Sequence, residues 1–134
     1  MASIKDIEGI GEAYADTLRA AGVRTTEQLI EAGSTSTARM RLADETHLTD
    51  EMIKRWVHMA DLFRIDGIGG EYAELLCSAG VCTVPKLAYR SAESLYAELV
   101  EYNNANRLVR RVPSVNELET FIVQAKKLPK VIHH

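Results

Sequence analysis

The chain has 134 residues, of which 46% are apolar and 26% are charged, and its net charge is −3. This composition excludes a disordered chain, and no apolar run reaches the length of a membrane span. The opening residues, MASIKDIEG, lack the apolar centre of a signal peptide, and two cysteines provide no disulfide framework. We therefore expect a folded, soluble, cytoplasmic protein whose acidic balance argues against coating nucleic acid by bulk charge alone.

Helix start and stop signals recur along the whole chain, and no segment shows the apolar alternation of a half-buried strand. Hydroxyl side chains stand where helix N-caps are needed, and glycines stand where several helices should end. Paired caps are predicted at Ser3/Asp6, Thr25/Gln28 and Ser114/Glu117. In chain order the predicted helices are 4–7, 12–21, 26–32, a segment within 33–42, 50–65, 70–79, 84–89, 92–102 and 115–128.

The segment 50–64 is predicted as the longest helix, begun by Thr49. Its apolar residues recur with helical spacing and form one stripe. Because this helix runs directly into a glycine-rich turn, it should bridge the two halves of the chain. Aromatic residues at helical spacing are expected in the core rather than as a base-stacking platform. The stripe consists of Ile53, Trp56, Val57, Ala60 and Phe63, and the expected core aromatics are Tyr14, Trp56, Phe63 and Tyr72.

Nearly the same stretch of sequence occurs twice. Residues 7–29 and 65–87, 58 positions apart, agree without a gap at 12 of 23 positions, which indicates a duplication. Further apolar residues correspond at a spacing of 65, so the second copy carries about seven extra residues, around 103–111. We predict an all-α fold of about ten short helices, in which two similar units, 1–64 and 65–134, pack as one pseudo-symmetric compact domain. The residues matched at the larger spacing are Trp56, Val57 and Ala60 with Phe121, Ile122 and Ala125.

Each copy contains the pattern Ile-x-Gly-Ile-Gly between two predicted helices, at 7–11 and 65–69. Glycine permits the backbone angles of a tight turn, and the apolar residue between the glycines fills the space between the helices. Together with Ala-Gly-Val-x-Thr-x-x-x-Leu at 21–29 and 79–87, this pattern resembles the helix-hairpin-helix motif. Two such units in tandem look most like a prokaryotic family of unknown function built from duplicated helix-hairpin-helix units, and the resemblance spans nearly the whole chain.

The resemblance implies a non-enzymatic module that binds nucleic acid, DNA in the first place, without reading its sequence. In family members that do so, backbone N–H groups of the hairpin contact phosphates, and nearby Lys or Arg side chains add charge. Some members also hold a monovalent cation on the hairpin carbonyls, and the resemblance implies no other cofactor. The hairpin residues that it implicates are Gly9, Ile10, Gly11, Gly67, Ile68, Gly69 and Gly70.

Acidic residues follow both hairpins and oppose this expectation. Carboxylates suit the start of a helix because they complement its dipole, but they also repel phosphate. The first copy carries Arg19 and Arg24 where the second has Cys77 and Cys82, so the first hairpin is the better candidate unless these arginines are ordinary surface residues. The alternative function is a protein-interaction adaptor that has lost phosphate binding and offers a helical groove to a protein partner. The acidic residues are Glu12, Asp16, Glu71 and Glu74.

The second half of the chain divides into an acidic and a basic part. Residues 65–102 contain two basic and six acidic residues, whereas 103–134 contain six basic and two acidic residues, a net charge of +4. Helical spacing is expected to bring the three arginines of the tail together, and likewise Lys126 and Lys130. The six basic residues of this segment form either a patch that binds the phosphate backbone or an ordinary solvated face. They are Arg107, Arg110, Arg111, Lys126, Lys127 and Lys130.

The sequence predicts neither an enzyme nor a metal site. No serine, cysteine or carboxylate pair has a recognisable base and orienting partner. The glycines at 67–70 are followed by Glu71 rather than by the Gly-Lys-Ser/Thr ending of a nucleotide-binding loop. Cys77 and Cys82 lack two further metal ligands at a suitable spacing, so we expect buried or idle thiols, with a regulated disulfide as the alternative.

Overall fold

The computed structural model describes residues 2–134, which fold into eight α-helices and one short 3₁₀ helix. The predicted all-α class is confirmed, and each of the nine helices predicted in chain order has a counterpart. The segments 107–114 and 128–134 stay non-helical, and each contains a proline, which cannot continue a helix. Between residues 2 and 134 the only β-type pairing is a single bridge from Ser3 to Thr25. The elements are the 3₁₀ helix Ile4–Asp6, then α1 (Glu12–Ala20), α2 (Thr26–Ala32), α3 (Ser36–Thr46), α4 (Asp50–Leu62), α5 (Gly70–Ser78), α6 (Val84–Ala88), α7 (Ala92–Asn106) and α8 (Val115–Lys127).

Side-chain caps set most of the helix starts. Two of the three predicted paired caps form completely, with each side chain bonded to the other residue's backbone N–H. At Thr25 the prediction is half right: its hydroxyl accepts the N–H of Gln28 at 3.1 Å, but the Gln28 side chain accepts from the N–H of Arg24 at 2.8 Å. The complete pairs are Ser3 with Asp6 and Ser114 with Glu117.

Helix α4 forms the centre of the core, but the prediction that it is the longest helix is wrong, because it has 13 residues and α7 has 15. Four residues of its predicted apolar stripe are buried, with Ile53, Val57 and Ala60 fully inaccessible and Trp56 only 5% exposed. Phe63, the fifth, follows the end of the helix and is only partly buried. The prediction that Tyr14 belongs to the core is wrong, because this residue is 39% exposed. The Tyr14 ring lies against that of Trp56, with 5.3 Å between ring centroids, so one side of the tyrosine is covered and the other faces solvent.

The two halves of the chain make matching contacts. Trp56 of α4 covers the turn at Gly9, where an added Cβ would lie 3.5 Å from Trp56 Nε1. Phe121 of α8 covers the turn at Gly67, where an added Cβ would lie 2.7 Å from Phe121 Cε1. In addition, α2 and α3 both pack on α4, as α6 and α7 both pack on α8. The aromatic residue that the sequence alignment pairs across the halves therefore occupies the same place above each turn.

The extra length of the second half lies at the end of α7 and just beyond it. Helix α7 has 15 residues where α3 has 11, and residues 107–114 precede α8 where residues 47–49 precede α4. The Asn103 side chain holds this segment by donating to the Val109 carbonyl at 2.9 Å and accepting the Val109 N–H at 3.0 Å. The insertion expected around 103–111 therefore takes the form of a longer helix followed by a fixed loop.

Cys77 and Cys82 are joined by a disulfide, so the expectation of buried or idle thiols is wrong. Cys77 lies in the last turn of α5, and the chain then reverses at Gly80, whose φ is 94°. The N–H of Gly80 donates to the Cys77 carbonyl at 3.0 Å, as in a common glycine-terminated helix end. This reversal returns Cys82 to the end of the helix, which the spacing of the two cysteines in the sequence does not reveal.

Reduction of this disulfide should lower the free energy of unfolding by about 2 kcal/mol. The bond closes a small ring, with a sequence separation of 5, and the chain-entropy model gives ~2 kcal/mol for a ring of that size. The measurement is urea unfolding with and without a dithiol reductant. The Cys77→Ser/Cys82→Ser variant is the control and should not respond to reductant. Identical midpoints for oxidised and reduced wild type would contradict the expectation.

Candidate nucleic-acid interface

Both glycine turns have the same local geometry. Gly9 has φ 96° and Gly67 has φ 100°, values that side-chain-bearing residues rarely adopt. Ile10 and Ile68, which follow them, are each 4% exposed and anchor the turns in the core. The next glycine in each turn, Gly11 or Gly69, has extended backbone angles and is the N-cap of the following helix.

The helices that follow the glycine turns begin without a side-chain cap. At Gly11 and at Gly69 no side chain accepts the first N–H groups of α1 or α5, and a Cβ added at either glycine would meet nothing within 4 Å. The backbone N–H groups of a helix start carry partial positive charge and are available to an anion when no cap occupies them. Every other helix of the described chain has a hydroxyl cap, supplied by Ser3, Thr25, Thr35, Thr49, Thr83, Ser91 or Ser114.

The second turn lies directly against the segment that precedes the first turn. A Cβ on Gly70 would collide with the carbonyl oxygen of Asp6 and would lie 3.6 Å from Glu8 Oε1. Only glycine fits at position 70, because the obstructing atom belongs to the backbone. The Glu8 carboxylate therefore stands close to the start of α5, and the two predicted sites are neighbours on one side of the molecule.

Acidic side chains surround the second turn. An open groove of about 480 Å³ runs along the backbone of residues 67–70 and is lined by carboxylates. None of the ion pairs formed within residues 2–134 includes Glu8, Asp66 or Glu71. The groove consequently has a negative character that would repel phosphate. Its acidic lining residues are Asp6, Glu8, Asp66 and Glu71.

The carboxylates of α1, the helix that follows the first turn, are instead paired with basic side chains. Lys5 donates to Glu12, and this hydrogen bond and the lysine charge hold the pKa of the Glu12 carboxyl below its usual value. Asp16 pairs with Arg19 at 3.3 Å one turn further along α1. The backbone carbonyl of Arg24 accepts the N–H of Ile4 at 3.2 Å, which places the exposed Arg24 beside the same region. Lys5 therefore lies at the start of α1, whereas Arg19 lies in the last turn of that helix. The sequence did not indicate the part of Lys5, because the turn separates it from Glu12.

The basic residues of the tail do not form one patch. The expected helical spacing among the three arginines is wrong, because residues 107–114 are not helical, and Lys130 lies beyond the end of α8. The 13 residues of α8 separate the two groups by about 20 Å. The arginine group comprises Arg107, Arg110 and Arg111, and the lysine group comprises Lys126, Lys127 and Lys130.

One of these arginines is already engaged. Arg111 Nη1 donates to Glu117 Oε1 at 2.7 Å, and Nη2 approaches Oε2 at 3.3 Å. The hydrogen bond from Arg111, followed by that from the Ser114 backbone, lowers the pKa of the Glu117 carboxyl to about 2. Arg111 therefore supports the start of α8, and its charge is largely offset by its partner.

No helix within residues 2–134 is both long enough and apolar enough to cross a membrane. The same residues contain no group of three or more His, Cys, Asp or Glu side chains arranged to hold a metal ion.

Comparison with known proteins places most of the chain in one family. A family model described as "Domain of unknown function (DUF4332)" matches residues 8–128, a range that contains both glycine turns and all eight α-helices. No curated protein and no solved structure matches the chain. The protein therefore belongs to the family described as Domain of unknown function (DUF4332).

Proposed function

We propose that this protein is a non-enzymatic, cytoplasmic module that binds nucleic acid, DNA in the first place, without sequence preference. In this proposal the chain consists of two helix-hairpin-helix units, 1–64 and 65–134. Their likeness is supported by the shared turn geometry at Gly9 and Gly67 and by the aromatic residue that covers each turn. The contacting groups are backbone N–H groups, which touch phosphate and do not read bases.

The absence of side-chain caps on α1 and α5 is the observation that carries the proposal. Hydroxyl caps are used at every other helix start of the described chain, so the starts of α1 and α5 differ from all the rest. The two helices that follow the glycine turns instead present open N–H groups on neighbouring parts of the surface. A phosphate oxygen is the natural partner for such groups.

The first turn is the principal contact in this proposal. Lys5 and Arg19 offset the carboxylates of α1, whereas Glu71 at the start of α5 has no basic partner within residues 2–134. Glu8, in the first turn, is also outside every ion pair of the described residues and lies close to the start of α5. The basic groups at the two ends of α8 contribute only long-range attraction, because they do not converge on either turn. Few phosphates are contacted, so we expect weak binding with a log–log salt slope of about −2.

Replacement of Gly11 by Asp should abolish most of this binding without harming the fold. Gly11 has φ −87°, and an added side chain meets nothing within 4 Å, so Asp fits there. Its carboxylate would cap α1, stabilise the helix by a few tenths of a kcal/mol and occupy the N–H groups with a negative charge. Fluorescence anisotropy with labelled duplex DNA at low salt should show at least about tenfold weaker binding, equivalent to about 1.4 kcal/mol.

The Gly11→Ala variant is the matched control, because it adds a side chain that neither caps nor carries charge. It should bind DNA like the wild type. The Gly69→Asp variant makes the same change at the second turn and should have a smaller effect. Binding that survives Gly11→Asp unchanged, or that is absent in the wild type even at low salt, would refute the proposal.

A second function is favoured by the acidic groove along residues 67–70. Unpaired carboxylates beside a fixed backbone suit a basic segment of a protein partner, which would make the chain a protein-interaction adaptor. In the anisotropy experiment a short lysine-rich peptide distinguishes the two functions. If the peptide binds, if Glu8→Gln/Glu71→Gln weakens it and if DNA does not bind, the adaptor function replaces the first one.

A further inference from the structure

A second candidate site lies on α3, α4 and the C-terminal segment, apart from the glycine turns. There an open cavity of about 250 Å³ faces solvent. Its lining includes two cations, a histidine, a hydroxyl and one carboxylate, so its charge is positive on balance. The lining residues are Ser36, Arg39, Met40, Asp50, Lys54 and His134.

Arg39 is a buried cation without an acidic partner. The residue is only 6% exposed, and its guanidinium donates to the carbonyls of Gly33 at 2.9 Å and His133 at 3.0 Å. None of the ion pairs formed within residues 2–134 includes Arg39. Buried arginine is ordinarily paired with an anion, because the desolvation of a charge is costly. Burial accordingly lowers the pKa of Arg39.

His58 of α4 is a second buried polar group without a partner. It is 7% exposed, and among the described residues its Nε2 has no hydrogen-bond partner. Its ring stands edge-on to that of His134, which lines the cavity, with 5.8 Å between centroids. Lys54, Arg39 and Lys86 surround it with positive charge from three different helices. At this place Arg39 therefore lacks an anionic partner, and His58 Nε2 lacks any hydrogen-bond partner among the described residues.

The start of α3 supplies further donors to the same cavity. This helix has 11 residues, and the Thr35 hydroxyl takes the N–H of Ala38 at 3.1 Å, which leaves the N–H groups of Ser36 and Thr37. Lys54 is exposed and belongs to none of the ion pairs of residues 2–134. The arrangement of a guanidinium, an ammonium, a hydroxyl and a helix start matches an anion with several oxygens better than a carboxylate with two.

We propose that this cavity binds a phosphate group, carried either by inorganic phosphate or by a small phosphomonoester. Arg39, Lys54 and the start of α3 hold the phosphate oxygens, and the imidazole of His58 gains the negative neighbour that it lacks. Asp50 is the one acidic side chain of the lining. The Asp50 carboxylate can accept a hydrogen bond from a protonated phosphate oxygen, and its negative charge disfavours a second bound anion.

The test is an NMR titration of the full chain with inorganic phosphate and, separately, with adenosine monophosphate, at constant ionic strength set with chloride. Amide shifts should concentrate at Ser36 and Thr37, and the pKa of His58 should rise by about one unit, because a nearby anion stabilises the imidazolium. Lys54→Gln should weaken phosphate binding at least about fivefold. Lys127→Gln, which removes an exposed lysine outside the cavity, should leave it unchanged.

Binding of the nucleotide at least as tightly as inorganic phosphate assigns the site to a phosphomonoester. Binding of inorganic phosphate alone assigns it to the free anion, and both results support the proposal. Shifts that are absent up to about 20 mM of either probe, or that Lys54→Gln leaves unaltered, would overturn it, since millimolar affinity is the least a specific site should show. Because the reporters lie on α3 and α4, this result is independent of DNA binding at the glycine turns.

Discussion

Replacement of Asp61 by Ala is expected to destabilise the fold by about 3–5 kcal/mol, the usual cost of breaking a buried charge pair from one side. Asp61 is 1% exposed, and its Oδ1 accepts from Arg64 Nη1 at 2.8 Å. Its Oδ2 accepts the N–H of Val84 at 2.9 Å and thereby joins α4 to the start of α6. Loss of the carboxylate leaves this buried N–H without an acceptor and a largely buried guanidinium without its counter-charge.

The matched control for this prediction is Asp16→Ala. Asp16 and Arg19 have the same three-residue spacing on a helix as Asp61 and Arg64, but both side chains are at least one-third exposed, at 72% and 35%. Solvent-exposed pairs contribute about 0–1 kcal/mol, so this change should be nearly neutral. Urea unfolding of the two variants gives the comparison. A difference between them of less than about 1 kcal/mol would contradict the structural role assigned to Asp61.

The second large effect is a loss of stability in mild acid that originates at His58. Burial first, and then the charges of Lys54, Arg39, His134 and Lys86, lower the pKa of His58 from 6.5 to about 4. In the unfolded chain His58 is protonated near pH 6.5, whereas in the folded chain it is protonated only near pH 4. This contribution is fully present above pH 6.5 and is lost as the pH falls towards 4. The free energy of unfolding falls by about 3 kcal/mol over this range.

His58→Phe is the variant that isolates this effect, because it keeps a buried ring and removes the titrating group. The difference in unfolding free energy between wild type and variant should change with pH between 7 and 4 and should be constant above 7. Buffers without phosphate or sulfate are required, because an anion in the neighbouring cavity would raise the pKa of His58 and reduce the slope. Parallel pH profiles for the two proteins would contradict the assignment.

Local sequence signals were sufficient for most of the helices. Ser114 and Glu117 define the start of α8 without reference to the rest of the chain, because a capping pair involves only neighbouring residues. The end of α7 was less accurately predicted, at 102 instead of 106, because nothing between these positions interrupts a helix until Arg107 adopts a left-handed conformation. Boundaries set by a cap were thus predictable, and boundaries set by tertiary contacts were not.

The candidate sites divide in the same way. The glycine turns are visible in the sequence because glycine is required where φ is positive. The cavity beside α3 is not visible, because Arg39 meets His133 across 94 residues and nothing in the local sequence marks that arginine as buried. The groove at the second turn likewise depends on the packing of Gly70 against Asp6, which is a contact between the two halves of the chain.

The most direct measurement of phosphate contact at the glycine turns is an amide NMR titration of the full chain with a short DNA duplex at low salt. We expect the largest shifts at the N–H groups of Glu12, Ala13 and Tyr14 and smaller shifts at residues 70–72. In the Gly11→Asp variant the shifts at residues 12–14 should disappear. Largest shifts at the two ends of α8, with the start of α1 unaffected, would contradict backbone recognition and would leave the glycine turns with a structural role only.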